Sequence, residues 1–522
     1  MSTLDEVTRD GPVVAERPVP GTPRPYAFPA VATHRLANGL TVLLADLPGR
    51  PLISASLIMA NGAADEPPDT AGATVLAARA LSEGTERYDA IGLVEASERL
   101  GASLHAEAGW DALSAGVEVP AARLPAALEL LAELVLRPTF PEHEVERLRE
   151  ERLNDLLQAR ADPRRRAEEA YIETIYAPSS PYHRPSGGTR ETVEHLGSNE
   201  LRAAYERGLD PSRATFIVAG EIGAIDVLGA IDRLFGGWSA AAGSSAVGQI
   251  DDAGTGAGRV VRIIHRPGSV QTEIRVGHPG LPRRIPDFHA VSVMSAILGG
   301  LFNSRLNMRL REEKGYTYGA GAGFDLRRGA GPFAARAAVN TEVTVPAVVE
   351  MLAELERMRD EPVTDEEVTA ARDYLIGVFP LRFETAGAVG GALGGLVVHG
   401  LTVEELVTYR ERIEAVDVEA ITAAAREHLR IADAAIVLVG DADAFGDELT
   451  AAGLGPIVIE RDDAEGASPP PGPSDDDAET PGPVDDDAEA GPTLGAEAVP
   501  DEDGTVDEGT EAPGIAGEVG PA

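Results

Sequence analysis

Two halves of this 522-residue sequence resemble each other, and this internal repeat constrains the fold more than any other feature. The segment LPAALELLAEL at 124–134 corresponds to VPAVVEMLAEL at 345–355, and each is followed by a proline-containing turn and a second charged helix. Near its end, each half also has an apolar segment followed by Gly and an acidic residue, TFIVAGE at 215–221 and AIVLVGD at 435–441. Three similarities in the same order indicate a duplicated domain.

The residue pattern within each half predicts both strands and helices. In the first half, residues 36–45 and 52–60 are typical of strands, residues 70–81 of a helix, and residues 103–119 of a strand pair. Helical periodicity follows over residues 121–135. We therefore predict an α+β fold with two similar duplicated domains, each a mostly antiparallel sheet packed with helices.

Changes in composition predict the domain boundaries. Small residues without periodicity indicate a linker, and the segment after residue 460 is dominated by Pro, Gly, Asp and Glu, which cannot bury enough apolar surface to offset the entropy lost on ordering. The predicted parts are a flexible N-terminal segment at 1–30, a first domain at 31–240, a linker at 241–258, a second domain at 259–460 and a disordered acidic tail at 461–522.

Composition also excludes several classes of protein. The chain has no cysteine, so it has no disulfides and no thiolate metal site, which fits a reducing compartment. Its formal net charge of −41 opposes binding to nucleic acid. The first residues lack the apolar stretch of a secretory signal, and no run approaches the ~18 apolar residues of a membrane helix. We expect a cytoplasmic protein without a nucleic-acid or membrane partner.

The order of motifs resembles the insulinase/pitrilysin family of zinc metallopeptidases, in particular its two-domain, processing-peptidase-like branch. The resemblance covers about residues 35–440, and its most specific matches are LGGLFNSRL at 298–306 and LREEKGYTY at 310–318. The segment GAADEPPDTAG at 62–72 adds to them. The resemblance implies that the two domains form half of a clamshell, and that residues 103–108 form an edge strand that pairs with substrate in relatives.

The zinc motif of this family is absent from the chain. Active members carry H-x-x-E-H on the first helix, where two histidines bind zinc and the glutamate activates the bound water. Here Val75 and Arg79 stand at the histidine positions and Ala78 at that of the general base, while Asp155 lies near the distal carboxylate position. No two of the ten histidines are three to five residues apart. We expect no metal and no cofactor in this chain.

Asp155 has two interpretations at this stage. It is either an exposed helix carboxylate or a carboxylate of the former metal pocket that pairs with Arg79.

The second domain keeps two residues that the resemblance implies for substrate binding. Arg311 and Tyr318 match an arginine and a tyrosine that reach across the cavity to substrate in two-domain relatives. Residues 303–314 predict a helix, and Gly315 suits the left-handed position that ends it. A guanidinium can hold a carbonyl or a carboxylate, and a phenol can donate to an oxyanion. The alternative is a helix-terminal cation and an ordinary strand aromatic.

The resulting hypothesis is a division of labour. This chain binds a peptide or unfolded polypeptide and completes the active site of a homologous zinc-bearing partner subunit, so that the heterodimer hydrolyses peptide bonds. The alternatives are a catalytically inactive scaffold of the same fold and, less favoured, an autonomous metalloendopeptidase with a rearranged metal site. No Walker A or G-x-S-x-G motif favours a nucleotide-binding protein or a serine hydrolase.

Overall fold

A computed structural model of the chain describes residues 24–245, 248–256 and 258–461. Its strands are β1 (Val31–Arg35), β2 (Thr41–Asp46), β3 (Leu52–Met59), β4 (Ser103–Ala108), β5 (Leu113–Pro120), β6 (Ala214–Gly220), β7 (Val261–His265), β8 (Gln271–Pro279), β9 (Ala320–Phe324), β10 (Pro332–Asn340), β11 (Ala435–Gly440) and β12 (Ile457–Arg461).

The helices of the first half are α1 (Ala73–Ala80), α2 (Ala90–Glu98), α3 (Leu124–Leu136), α4 (Glu142–Ala161), α5 (Pro163–Ile175), α6 (Arg190–Val193), α7 (Ser198–Gly208) and α8 (Val227–Phe235). Those of the second half are α9 (Phe288–Ser295), α10 (Arg305–Asn307), α11 (Thr344–Asp360), α12 (Asp365–Val378), α13 (Ala386–Val398), α14 (Glu404–Val407), α15 (Tyr409–Glu414), α16 (Val418–His428) and α17 (Ala442–Ala452).

The strands form two six-stranded sheets with matching order. The first sheet runs β1-β2-β6-β3-β5-β4, and the second runs β12-β7-β11-β8-β10-β9. In the first sheet only β2 and β6 are parallel, while in the second β11 and β12 are both parallel to β7. All other neighbouring pairs are antiparallel. The predicted α+β fold with two similar, mostly antiparallel halves is confirmed.

Each half contributes one helix that packs on the sheet of the other half, and the two helices occupy equivalent places in the chain order. Helix α5 follows the first domain's charged helix but packs on β8 and β11 of the second sheet, where Tyr171 is buried beside Val437. Helix α13 follows the second domain's charged helix and packs on β3 and β6 of the first sheet. A Cβ atom at Gly394 would already lie 3.5 Å from Ile58. Because each sheet is covered by a helix from the other half, one buried cluster joins residues of both sheets, including Ile58 of the first and Ile274 of the second.

The predicted flexible segment 1–30 needs a correction at its end. Phe28 is buried in the second domain's core, with its ring centroid 5.0 Å from that of Phe383, and Tyr26 stacks on the same ring. Aromatic burial therefore fixes these residues. Residues 1–23 and the predicted tail from Asp462 onward lie outside the described residues. The domain boundaries themselves stay predictions.

The described part of the predicted linker is hydrogen-bonded to the chain at the end of α5. The amide of Ala177 donates to the carbonyl of Ala253 at 2.9 Å, and the amide of Thr255 donates to the carbonyl of Ile175 at 3.0 Å. Among the described residues, no helix combines the length and apolar character needed to cross a membrane.

Candidate functional site

Helix α1, which carries the degenerate zinc motif, begins at a buried carboxylate. The two oxygens of Glu66 accept from the amides of Gly72 at 2.8 Å and Thr74 at 2.6 Å, while Arg184 donates to Glu66 at 3.3 Å. A carboxylate at a helix N-terminus satisfies free amides and interacts favourably with the helix dipole. Glu66 therefore starts the helix after residue 72, rather than at the predicted residue 70.

The motif positions on α1 offer no metal ligand. Val75 is partly buried and Ala78 is fully buried, and neither side chain has a donor atom. Arg79 is exposed and carries a permanent cation. Among the described residues, groups of three potential ligands occur only at His265 with its two acidic neighbours and at His428 with its two, and neither includes α1. Zinc therefore does not fit the motif positions.

An ion-pair network stands beside the motif instead. Arg79 donates to Glu151 of helix α4 at 3.0 Å, and Arg147 donates to the other oxygen of Glu151 at 2.5 Å. Arg147 also lies 2.8 Å from Glu83, just beyond α1. Hydrogen bonds to Glu144 and Glu83 raise the pKa of Arg147. Two fixed cations thus lie where α1 and α4 meet.

Asp155 lies one helical turn beyond Glu151 and takes no part in that network. Its carboxylate accepts from Arg152 and, at 2.8 Å, from Arg165. Burial opposes its ionisation, but the hydrogen bond from Arg165 and the charge of Arg152 outweigh burial and lower the pKa of Asp155. The interpretation in which Asp155 pairs with Arg79 is wrong, because Glu151 is the partner of Arg79. Because α4 contains many acidic residues, the sequence did not indicate that Glu151 in particular would pair with Arg79.

The segment that carries Arg311 ends as predicted. Helix α10 begins at Arg305 and continues as a π-helical turn over Met308–Glu313, and Gly315 has the left-handed φ of 64°. A side chain at that φ is strained, which explains the glycine. The chain then turns sharply and enters β9 two residues after Tyr318.

Arg311 and Tyr318 both reach solvent. The guanidinium carbon of Arg311 lies 4.4 Å from the ring centroid of Phe302, and its nearest acid, the adjacent Glu312, is 3.6 Å away. Tyr318 is 93% exposed, and no hydrogen bond holds its hydroxyl among the described residues. Phe302 is 68% exposed and Met308, on the same helical segment as Arg311, is 42% exposed. Sequence reasoning missed Phe302, although it lies inside the motif at 298–306.

Each sheet ends in an outer strand that lies beside one of these features. The outer strand of the first sheet is β4, and α1 packs against it. The outer strand of the second sheet is β9, which Tyr318 precedes. The turn before α10 approaches β9 so closely that a Cβ atom at Gly299 would lie 2.1 Å from the amide nitrogen of Ala322. Glycine is therefore required there.

Two family models match the chain, and together they span more than half of it. The model described as "Insulinase (Peptidase family M16)" matches residues 41–184, and "Peptidase M16 inactive domain" matches residues 195–375. The chain belongs to the insulinase family, peptidase family M16, and lacks its zinc motif.

Curated relatives are distant but cover most of the chain. An uncharacterized zinc protease of Streptomyces coelicolor is 24% identical over 71% of this chain and 81% of its own length. A Helicobacter pylori protein named "Non-peptidase homolog YmxG" is 22% identical over 71% of this chain and 84% of its own length. The relatives therefore include both a protein named as a zinc protease and a protein named as a non-peptidase.

Solved structures share the fold. A peptidase M16 inactive domain from Pseudomonas fluorescens matches with a TM-score of 0.73 and 24% identity, covering 79% of this chain and 98% of that chain. A protease from Helicobacter pylori matches with a TM-score of 0.73 and 18% identity, covering 79% and 99%.

Proposed function

We propose that this chain is the substrate-binding subunit of a two-subunit peptidase, inactive alone, whose zinc-bearing partner belongs to the same family. One observation carries the proposal: Tyr318 is almost fully exposed with no hydrogen bond to its hydroxyl among the described residues, and Arg311 is partly exposed on the ring of Phe302. Arg79, in contrast, stands paired where a ligand would be needed. Peptide-bond hydrolysis takes place at the partner's zinc, and this chain holds the substrate. The cytoplasm stays its predicted compartment.

The surroundings of Arg311 suit recognition of a peptide. Phe302 supports one face of the guanidinium, which orients it without using its hydrogen-bond donors. Those donors can then bind a peptide carbonyl or a C-terminal carboxylate. The exposed Phe302 and Met308 offer apolar contacts for substrate side chains.

The exposure of Tyr318 fits a role in a complex. A tyrosine that is 93% exposed contributes almost nothing to the core of this chain. Closed against a partner, its hydroxyl can donate to the oxyanion that forms on an attacked carbonyl. The outer strand β4 can also pair with an extended peptide backbone.

The first experiment is affinity purification of the full chain from the cells that produce it. We expect a stoichiometric homologue that carries H-x-x-E-H, and a peptidase activity in the eluate that a chelator removes. An Arg311→Ala chain should recover the same partner with reduced activity. Arg359→Ala is a matched control, because Arg359 pairs only with its neighbour Asp360 among the described residues.

The second candidate is an inactive scaffold of the same fold. The name of the Helicobacter pylori relative, "Non-peptidase homolog", favours it. In that case a partner would be recovered, but its activity would not depend on Arg311 or Tyr318. An autonomous peptidase would instead require a stoichiometric metal in the isolated chain.

A further inference from the structure

A cavity of about 300 Å³ lies in the second domain, and no residue of the edge strand β9 lines it. It opens to solvent and is lined by the connection between β8 and α9, by the start of α9 and by residues that follow α13. Its lining includes Arg283, Arg284, His289, Glu405 and Arg412. A volume of this size is at the lower end for small-ligand sites.

Arg283 is the most unusual side chain in this cavity. It is 5% exposed, and its guanidinium carbon lies 3.4 Å from the ring centroid of Phe288. Its nearest carboxylate, Glu405, is 4.0 Å away, and its Nε has no hydrogen-bond partner. Burial lowers the pKa of Arg283. A buried guanidinium normally has close acceptors for its donors, so this one is under-satisfied.

A second buried polar group has no partner in the same cavity. His289 is 9% exposed, and its Nε2 is buried without a hydrogen-bond partner. Burial lowers the pKa of His289 to about 4, so the ring is neutral near pH 7. A neutral imidazole nitrogen can still serve as a hydrogen-bond donor.

The charges around the cavity do not balance. Arg412 donates to Glu405 at 3.0 Å, so this carboxylate is already shared between two arginines. Arg284 is exposed, and within the described part of the chain no acidic side chain lies within ion-pair distance of it. Three guanidiniums therefore face one carboxylate, and an anion would restore the balance.

In the first domain, the connection between β3 and α1 corresponds to the connection between β8 and α9, and its buried charge has close hydrogen-bond partners. There the buried Glu66 accepts from two backbone amides and from Arg184, all within 3.3 Å. The duplicated connection in the second domain places a buried arginine instead, with its acid at 4.0 Å. The buried charge is thus negative and closely hydrogen-bonded in the first domain, and positive with a more distant carboxylate in the second.

We propose that this cavity binds a small oxyanion, a carboxylate or a phosphate, through the guanidinium groups of Arg283 and Arg284. The planar guanidinium of Arg283, held against Phe288, matches the two oxygens of such a group. The site is separate from Arg311 and Tyr318, and this inference does not depend on the proposed function.

The test is calorimetric titration of the full chain with sodium phosphate and, separately, with sodium succinate, at an ionic strength held constant with sodium chloride. We expect saturable binding of at least one anion, and the two titrations distinguish phosphate from carboxylate. Arg284→Gln should weaken binding by about tenfold, the effect of one charge-assisted hydrogen bond. Arg283→Met should abolish it.

Arg426→Gln is the matched control, because Arg426 is exposed on α16 and does not line the cavity. If Arg283→Met does not fold, the exposed Arg284 still carries the test. Absence of saturable binding for both anions, or equal affinity in Arg284→Gln and Arg426→Gln, would overturn the proposal.

Discussion

The guanidinium of Arg79 lies 3.0 Å from the carboxylate of Glu151, and this contact joins α1 to α4. The family resemblance places a zinc-binding histidine of active members at this helix position. An arginine cannot lose its proton to become a ligand, and here it is held by the carboxylate of Glu151. An ion pair thus joins the two helices at the position where the resemblance places the zinc site of active members.

Restoring two histidines tests this interpretation of the motif. Val75→His together with Arg79→His places two imidazoles four residues apart on one face of α1 and frees Glu151. We expect the wild-type chain to hold no stoichiometric zinc and the double variant to bind one zinc per chain, measured by elemental analysis after dialysis. Ala78 is left unchanged, because it stands for the general base and not for a ligand.

The same double variant distinguishes the two carboxylates of α4. Adding Glu151→Gln should remove most of the bound zinc, whereas adding Asp155→Asn should leave it, because Asp155 is held by Arg152 and Arg165. The reverse result would show that Asp155 is the distal ligand position.

Glu66 should contribute strongly to stability. Glu66→Ala leaves two helix amides without their acceptor and removes the only carboxylate partner of the largely buried Arg184 among the described residues. Removing one partner of a buried ion pair costs about 3–5 kcal/mol, so we expect a decrease of that size in the free energy of unfolding, measured by urea denaturation. Asp69→Ala, an exposed acid in the same connection, should change it by less than about 0.5 kcal/mol.

The pair of Arg305 with Glu367 should make stability depend on pH. Arg305, at the start of the helix that leads to Arg311, donates to both oxygens of Glu367 at 2.6 and 3.0 Å. Burial opposes ionisation, but the hydrogen bonds from Arg305 and Thr364 lower the pKa of Glu367 to about 2. The stabilisation is therefore present above the ordinary pKa of about 4.5 and is lost as the pH falls from there toward about 2.

Glu367→Gln measures this contribution. Because the pair is partly exposed, we expect a loss of about 1–3 kcal/mol near pH 7, and the difference from wild type should shrink below about pH 4.5. Glu366→Gln is the control, since Glu366 is exposed and has no partner among the described residues. A difference that does not change with pH would contradict the assignment.

Local sequence patterns predicted much of the fold. The strand pair at 103–119 is observed as β4 and β5, and the predicted left-handed Gly315 is confirmed. Strand β1 was missed, because VATHR at 31–35 is short, lies at an edge and has a weak apolar pattern. The strand predicted at 36–45 is observed as the shorter β2 (Thr41–Asp46), because the Asn-Gly residues of the predicted strand lie in the turn between β1 and β2.

Contacts between distant segments could not be predicted. The exchange of α5 and α13 depends on which sheet each helix covers, and local periodicity contains no information on that choice. The partner of Arg79 depends on how α1 and α4 are rotated against each other, so the sequence suggested Asp155 where the structure has Glu151. The unsatisfied Arg283 follows from burial, which a single arginine in a loop does not reveal.

The most direct test of the central claim is the turnover number of the reconstituted complex with Tyr318→Phe in this chain. If the hydroxyl stabilises the oxyanion, its loss should lower kcat by about 10²–10³-fold with little change in KM. Tyr316→Phe, two residues earlier and partly buried, should keep the wild-type kcat. Equal kcat values for the two variants would contradict the account and favour the scaffold.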